Sequence, residues 1–152
     1  MTSSVKSNNY NNTPKNTNLI NKNTKLMESA MSNFNTTVID FATQMASILP
    51  NSIISNNLDV VVSTVKKYPT KLIESFILYA LKDKDKIDAG DDDYFLKKSY
   101  DEITEKDDDM MGSMFDLKTI WGSLNSENKE FVKGYMKYLC NEAMEYFLAS
   151  GN

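Results

Sequence analysis

The chain contains no histidine and no arginine, and its single cysteine is Cys140. The first absence removes the commonest general base and metal ligand, and the second removes the bidentate clamp for carboxylate and phosphate. A lone thiol excludes an internal disulfide and the paired thiols of zinc and redox sites. Three prolines and five glycines in 152 residues are too few for a fibrous or linker-dominated chain. No window reaches the roughly 18 uninterrupted apolar residues of a membrane span, and the polar stretch Met1 to Asn12 lacks the apolar segment of a signal peptide. These absences predict a soluble, cytoplasmic protein of a reducing compartment. In that setting the glycosylation matches at Asn11-Asn12-Thr13 and Asn35-Thr36-Thr37 are accidental.

What remains is carboxylate, lysine, amide and phenol. Lysine and asparagine together supply 34 of the 152 residues, the signature of AT-rich coding, so their abundance by itself carries no functional argument. A hydrophobic share of 41% is enough for one core, because a folded part of about 130 residues hides about two-thirds of the surface its unfolded chain exposes. Charge is split along the chain. Residues 1–25 hold eight asparagines, four threonines, four lysines and no acid, which predicts a disordered tail; residues 26–152 carry 13 lysines against 21 acids and form the folded domain.

Periodicity predicts an all-α domain, a compact bundle of about five to six helices. Met27, Met31, Phe34, Val38, Phe41, Met45 and Ile48 alternate at spacings of four and three, which marks a long first helix ended by Pro50. The stripe lacks the flanking charge pairs of a zipper, so it reads as core-facing rather than as a coiled-coil seam. Leu58, Val61, Val62, Val65 and Tyr68 suit a second helix, although Val60-Val61-Val62 would also suit a strand. Leu72, Ile73, Phe76, Ile77 and Leu81 mark a third helix after Pro69. Lys82 to Asp93 reads as an acidic loop leading into a short helix through Tyr94, Phe95, Tyr100 and Ile103. Another short helix holds Met110, Met111, Met114, Phe115, Leu117, Ile120 and Trp121. Asn125 or Ser126 caps a last helix that is apolar around most of its circumference and is expected to be the most buried.

The segment Asp83 to Asp93 invites a calcium reading, but with Gly90 in sixth place Ile87, Ala89 and Leu96 fall where ligands are required. The window Asp107 to Lys118 fails in the same way at Met111 and Lys118. Solvated acids and helix caps are the better reading of both. Glu74, Asp40 and Asp116 each lie on the polar side of a helix pattern, without histidine or arginine to orient them, and Cys140 lacks a base. No catalytic, cofactor-binding or metal residue is assigned. The nine methionines read as gap-filling core before an adaptable binding surface, and the four scattered tail lysines allow only non-specific nucleic-acid contact.

The turn Trp121-Gly122-Ser123-Leu124-Asn125-Ser126-Glu127-Asn128-Lys129, followed by a helix with Tyr135, Tyr138 and Leu139, resembles a recurrent ending in small helical proteins of large nucleocytoplasmic DNA viruses. Tyr68-Pro69 before Ile73 and Phe76, then acids into Asp93-Tyr94-Phe95, is similar as well, so the resemblance spans roughly residues 34–140. It implies a helical family without assigned activity. The expectation is a non-enzymatic interaction or structural protein, a viral particle or assembly component in host cytoplasm or virion. It would act through a helical surface on a protein partner or on itself, without small-molecule substrate or cofactor. An adaptor taking a host helix in a groove is the alternative, and an acidic-loop calcium protein a third.

Overall fold

The computed structural model describes residues 14–97 and 118–151. It is all-α, with no strand among the described residues. The alternating apolar stripe forms α1, Pro14–Ile48. Phe34, Val38, Phe41 and Met45 from that stripe are buried to 4% exposure or less. Pro50 follows the helix end as the restriction on its preceding residue requires. Two short turns of chain lead through α2, Ile53–Asn56, capped by Ser52, into α3, Leu58–Lys67. The valine run is therefore helical, with Val61 and Val65 inward and Val60 outward. Tyr68 leaves the expected stripe; its exposed ring lies under the ammonium groups of Lys67 and Lys71, at 5.4 and 5.6 Å.

Next comes α4, Lys71–Tyr79, which buries Leu72, Ile73 and Phe76. Phe76 meets Phe34 edge to face at 5.3 Å. The turn before α4 is tied to α1 by Asn35, whose Nδ2 donates to the Pro69 carbonyl at 2.8 Å. A 3-10 turn, Leu81–Asp83, then leads into α5, Lys84–Ala89, and α6, Asp92–Lys97. The acidic stretch expected as a loop is thus mostly helical. Fully buried Ile87 anchors it, Lys84 pairs with Asp88 one turn on, and Gly90, at φ 66°, closes the helix in the left-handed region. Density of acids masked that single apolar anchor.

Trp121, at the end of α7 (Lys118–Trp121), is fully buried and stacks on Phe95 of α6 at 5.0 Å. Asn125 caps α8, Ser126–Ala149, its Oδ1 accepting from the Asn128 amide at 2.8 Å. The expected Tyr100, Ile103 and Met110 to Leu117 positions, Asp116 included, lie outside the described residues, as does the tail up to residue 13. Residues 14–25, read as tail from composition, are helical within α1 because they continue its ladder of backbone hydrogen bonds without joining the core. Leu19 and Ile20 are 58% and 65% exposed.

The most extensive contact in the molecule is between α1 and α8. They run antiparallel, since Phe41 packs on Tyr135 at 5.3 Å while Asn33 lies beside Glu142. The intervening chain then descends α8 in reverse, with Glu74 near Tyr146, Lys84 and Asp88 near Cys140, and Asp92 on Lys133. Replacing Trp121 with alanine empties the centre of the α6–α7–α8 corner. It is expected to cost about 3–5 kcal/mol, read as a lower urea midpoint at unchanged slope.

Candidate functional site

Packing on α1 uses only one side of α8. Val132, Met136, Leu139, Cys140 and Ala143 are inside, while Phe131 and Tyr138 stay 40% and 44% exposed. The last helix is therefore buried along one side and presents aromatic rings on the other, a correction to the expectation that it is the most enclosed element. Between the rings sits Gly134. A Cβ built there would meet nothing within 4 Å, so neither backbone geometry nor close packing requires glycine. Glycine inside a helix costs about 1 kcal/mol relative to alanine. What it does is open the floor of a groove of about 470 Å³, lined by Thr37 of α1 and Glu130, Phe131, Gly134, Tyr135 and Tyr138 of α8.

Tyr135 joins this groove to the core, its ring edge to face with Phe131 at 4.8 Å on one side and against Phe41 on the other. The aromatic wall is therefore fixed by packing. Tyr138 lies one turn before Glu142, a buried carboxylate whose Oε2 has no partner. Burial pushes the Glu142 carboxyl above its usual range, with Glu145's charge adding to the shift, while bonds from Tyr138 and Asn33 act the other way. The phenol of Tyr138 is raised in turn, first by the charge of Glu142, and that of Tyr135 by burial and then Asp40. Both phenols are protonated donors at neutral pH. Lys133, next to Gly134 in the chain, is held by Asp92 at 2.6 Å and Glu130 at 2.8 Å, and Lys137 is exposed one turn on. The result is an apolar, aromatic trough with the exposed acids Asp40 and Glu145 near its phenols and ion-paired Glu130 in its lining, suited to an apolar side chain beside a cation.

The other residues weighed for chemistry do not converge here. Cys140 is fully buried, and desolvation, with Asp88 adding, pushes its thiol up to about 12. Asp40 and Glu74 are exposed on separate helices. Asp85 and Asp88 of the calcium window lie on helix α5, and among the described residues no three carboxylate or thiol groups gather as a metal site needs. Met45 and Met136 are core, as the gap-filling reading expects. In the sequence Phe131 and Tyr138 only add to the apolar content of the last helix, and the one signal of the groove is a lone glycine, Gly134, in the middle of a 24-residue helix.

No family model matches the chain, and no curated protein or solved structure matches it either. Among the described residues no helix is long and apolar enough to cross a membrane.

Two outcomes are expected from these buried groups. Cys140 resists alkylation by iodoacetamide at pH 8 in the folded protein and reacts only after denaturation, as mass spectrometry would read. Glu142 binds its proton more tightly folded than unfolded, so its contribution to stability is present below the ordinary carboxylate pKa and lost as pH rises through the raised folded value. The stability difference between Glu142→Gln and the parent is accordingly expected to favour the variant more at pH 7 than at pH 4, measured by urea denaturation at both.

Proposed function

We propose that the protein is a non-enzymatic interaction protein that binds a helical, cationic protein segment in the groove between α1 and α8, as an assembly component of a viral particle. The observation that carries the reading is Gly134. It holds a groove open at a cost to its own helix, between two exposed aromatic rings, where nothing in the fold asks for it. Aromatic side chains of this kind supply large contact area with little rotamer entropy to lose, and they dominate protein-binding surfaces. Exposed Asp40 and Glu145 beside the groove select the sign of the partner, and neutral, protonated phenols offer hydrogen bonds without adding charge.

The viral setting rests on the lysine- and asparagine-rich composition and on the resemblance of the Trp121 to Lys129 turn and its following helix to proteins of large nucleocytoplasmic DNA viruses. An assembly role places the protein in host cytoplasm or virion. A non-enzymatic role agrees with a chain in which the one thiol is sealed in the core and the cation nearest to groove-lining Glu130, Lys133, is shared in ion pairs with Glu130 and Asp92.

The test separates binding from folding. Gly134→Ala is expected to stabilise the protein by about 0.5–1 kcal/mol, since it adds helix propensity where there is space. Gly134→Leu is expected to fold as well and to fill the trough. With a photo-crosslinking phenylalanine at position 131 or 138 in the native cells, the parent should give a discrete protein adduct and the Gly134→Leu version should lose it. Equal adducts with and without the leucine would overturn the groove as the binding surface.

A further inference from the structure

The first half of α1 is a second unpartnered surface, and its chemistry is the complement of the groove. Because Asn33 lies opposite Glu142 in an antiparallel pair, the end of α8 at Ala149 falls opposite residue 26. Everything in α1 before that point extends past the end of α8, about 18 Å of helix at 1.5 Å per residue. The stripe that builds the core repeats every seventh residue at Phe41, Phe34, Met27 and Ile20, and it continues onto the overhang without cover. Leu19, Ile20 and Leu26 are 58%, 65% and 45% exposed. Lys15, Lys22 and Lys25 lie on the same stretch, and no acid precedes Glu28.

We propose that the groove occupant is this overhang from a second copy of the chain, in a two-fold dimer whose α1 helices cross antiparallel near Ser29. The inference rests on the groove reading and names its partner. Two features of the chain favour its own copy over any other basic helix. The charges are complementary within one sequence: an acid-free, lysine-bearing helix end against the exposed acids Asp40 and Glu145 beside the groove, with Glu130 in its lining shared with Lys133. A two-fold arrangement also closes the contact. One edge of α1 carries Lys22, Leu26, Asn33 and Thr37 at helical spacing, and a two-fold axis between Ser29 and Ala30 sets Lys22 opposite the partner's Thr37, and Leu26 opposite the partner's Asn33. Thr37 lines the groove, so the same operation that brings one overhang to it brings the other. Such a contact is closed, which gives a dimer and not a filament.

The full-length protein is expected to sediment at twice its 17.3 kDa mass at about 50 μM, and to weaken about tenfold between 50 and 500 mM salt because both surfaces are charged and exposed. Leu19→Glu with Leu26→Glu should give a folded monomer with the parent's helical content, whose thermal transition no longer rises with protein concentration, since neither side chain belongs to the core. Lys22→Cys with Thr37→Cys should oxidise to a covalent dimer, whereas each single variant stays monomeric under denaturing conditions. The two cysteines are too far apart on one helix to pair within a chain. Cys140 is sealed in the core and does not compete. A monomer at 50 μM, or a dimer that the double glutamate leaves intact, overturns the proposal. If the chain is monomeric but Gly134→Leu still abolishes a groove adduct, the occupant is another protein and only the self-association fails. If a dimer persists in Gly134→Leu and no adduct forms at 131 or 138, the groove reading fails with it.

Discussion

Antiparallel packing of α1 on α8 is the contact on which the other elements depend. Phe34, Val38, Phe41 and Met45 meet the inner side of α8, where Val132, Met136, Leu139 and Ala143 are closed from solvent. Each fully buried side chain of this size contributes about 1.5–3 kcal/mol against the entropy of ordering the chain. The described elements between the two helices pack on that surface and on one another. It lays α4, α5 and α6 along α8 in turn, fixed by Phe76 on Phe34, by buried Ile87, and by Lys133 bridging to Asp92. Trp121 closes the far corner under Phe95 just before Asn125 redirects the chain into α8.

The same contact produces the groove. A helix paired along one side leaves its other side to be polar or to be used, and α8 places Phe131, Gly134 and Tyr138 there. Tyr135 is the hinge between the two roles, since one face of its environment is Phe41 and the other is Phe131. Buried Glu142 links them electrostatically. Its charge reaches Tyr138 at the groove, while Asn33 of α1 lies on its other side. Groove and core are therefore not independent modules in this protein; the wall of one is the outer layer of the other.

Much of the architecture is legible in the sequence because helical burial leaves a periodic trace. Spacing at three and four locates α1, α3 and α4, and Asn125 is readable as a cap because an amide before a charged first turn satisfies an otherwise open amide. Trp121 and Leu124 read as anchors and are buried. The trace fails where one residue carries the burial. Ile87 alone anchors α5, and an acid-rich window with one isoleucine and one glycine looks like a solvated loop until its packing partner is known. It fails again where apolarity has two uses: Phe131 and Tyr138 raise the apolar content of α8 as core residues would, and only exposure tells them apart. Gly134 contributes nothing to any periodic pattern, since its meaning lies in the side chain it lacks.

Continuity of α1 couples its two ends. The second half is held by the core, so the costly first turn of helix is already formed, and the overhang is a matter of propagation alone, at close to zero free energy per residue in water. Its sequence is poor in alanine and rich in asparagine and threonine, which propagate weakly. Whatever binds residues 14–29 therefore also draws the helix–coil boundary of α1 outward. Part of the contact energy is spent on that ordering, and the measured affinity falls as temperature shortens the helix, giving association that reverses with modest changes in conditions.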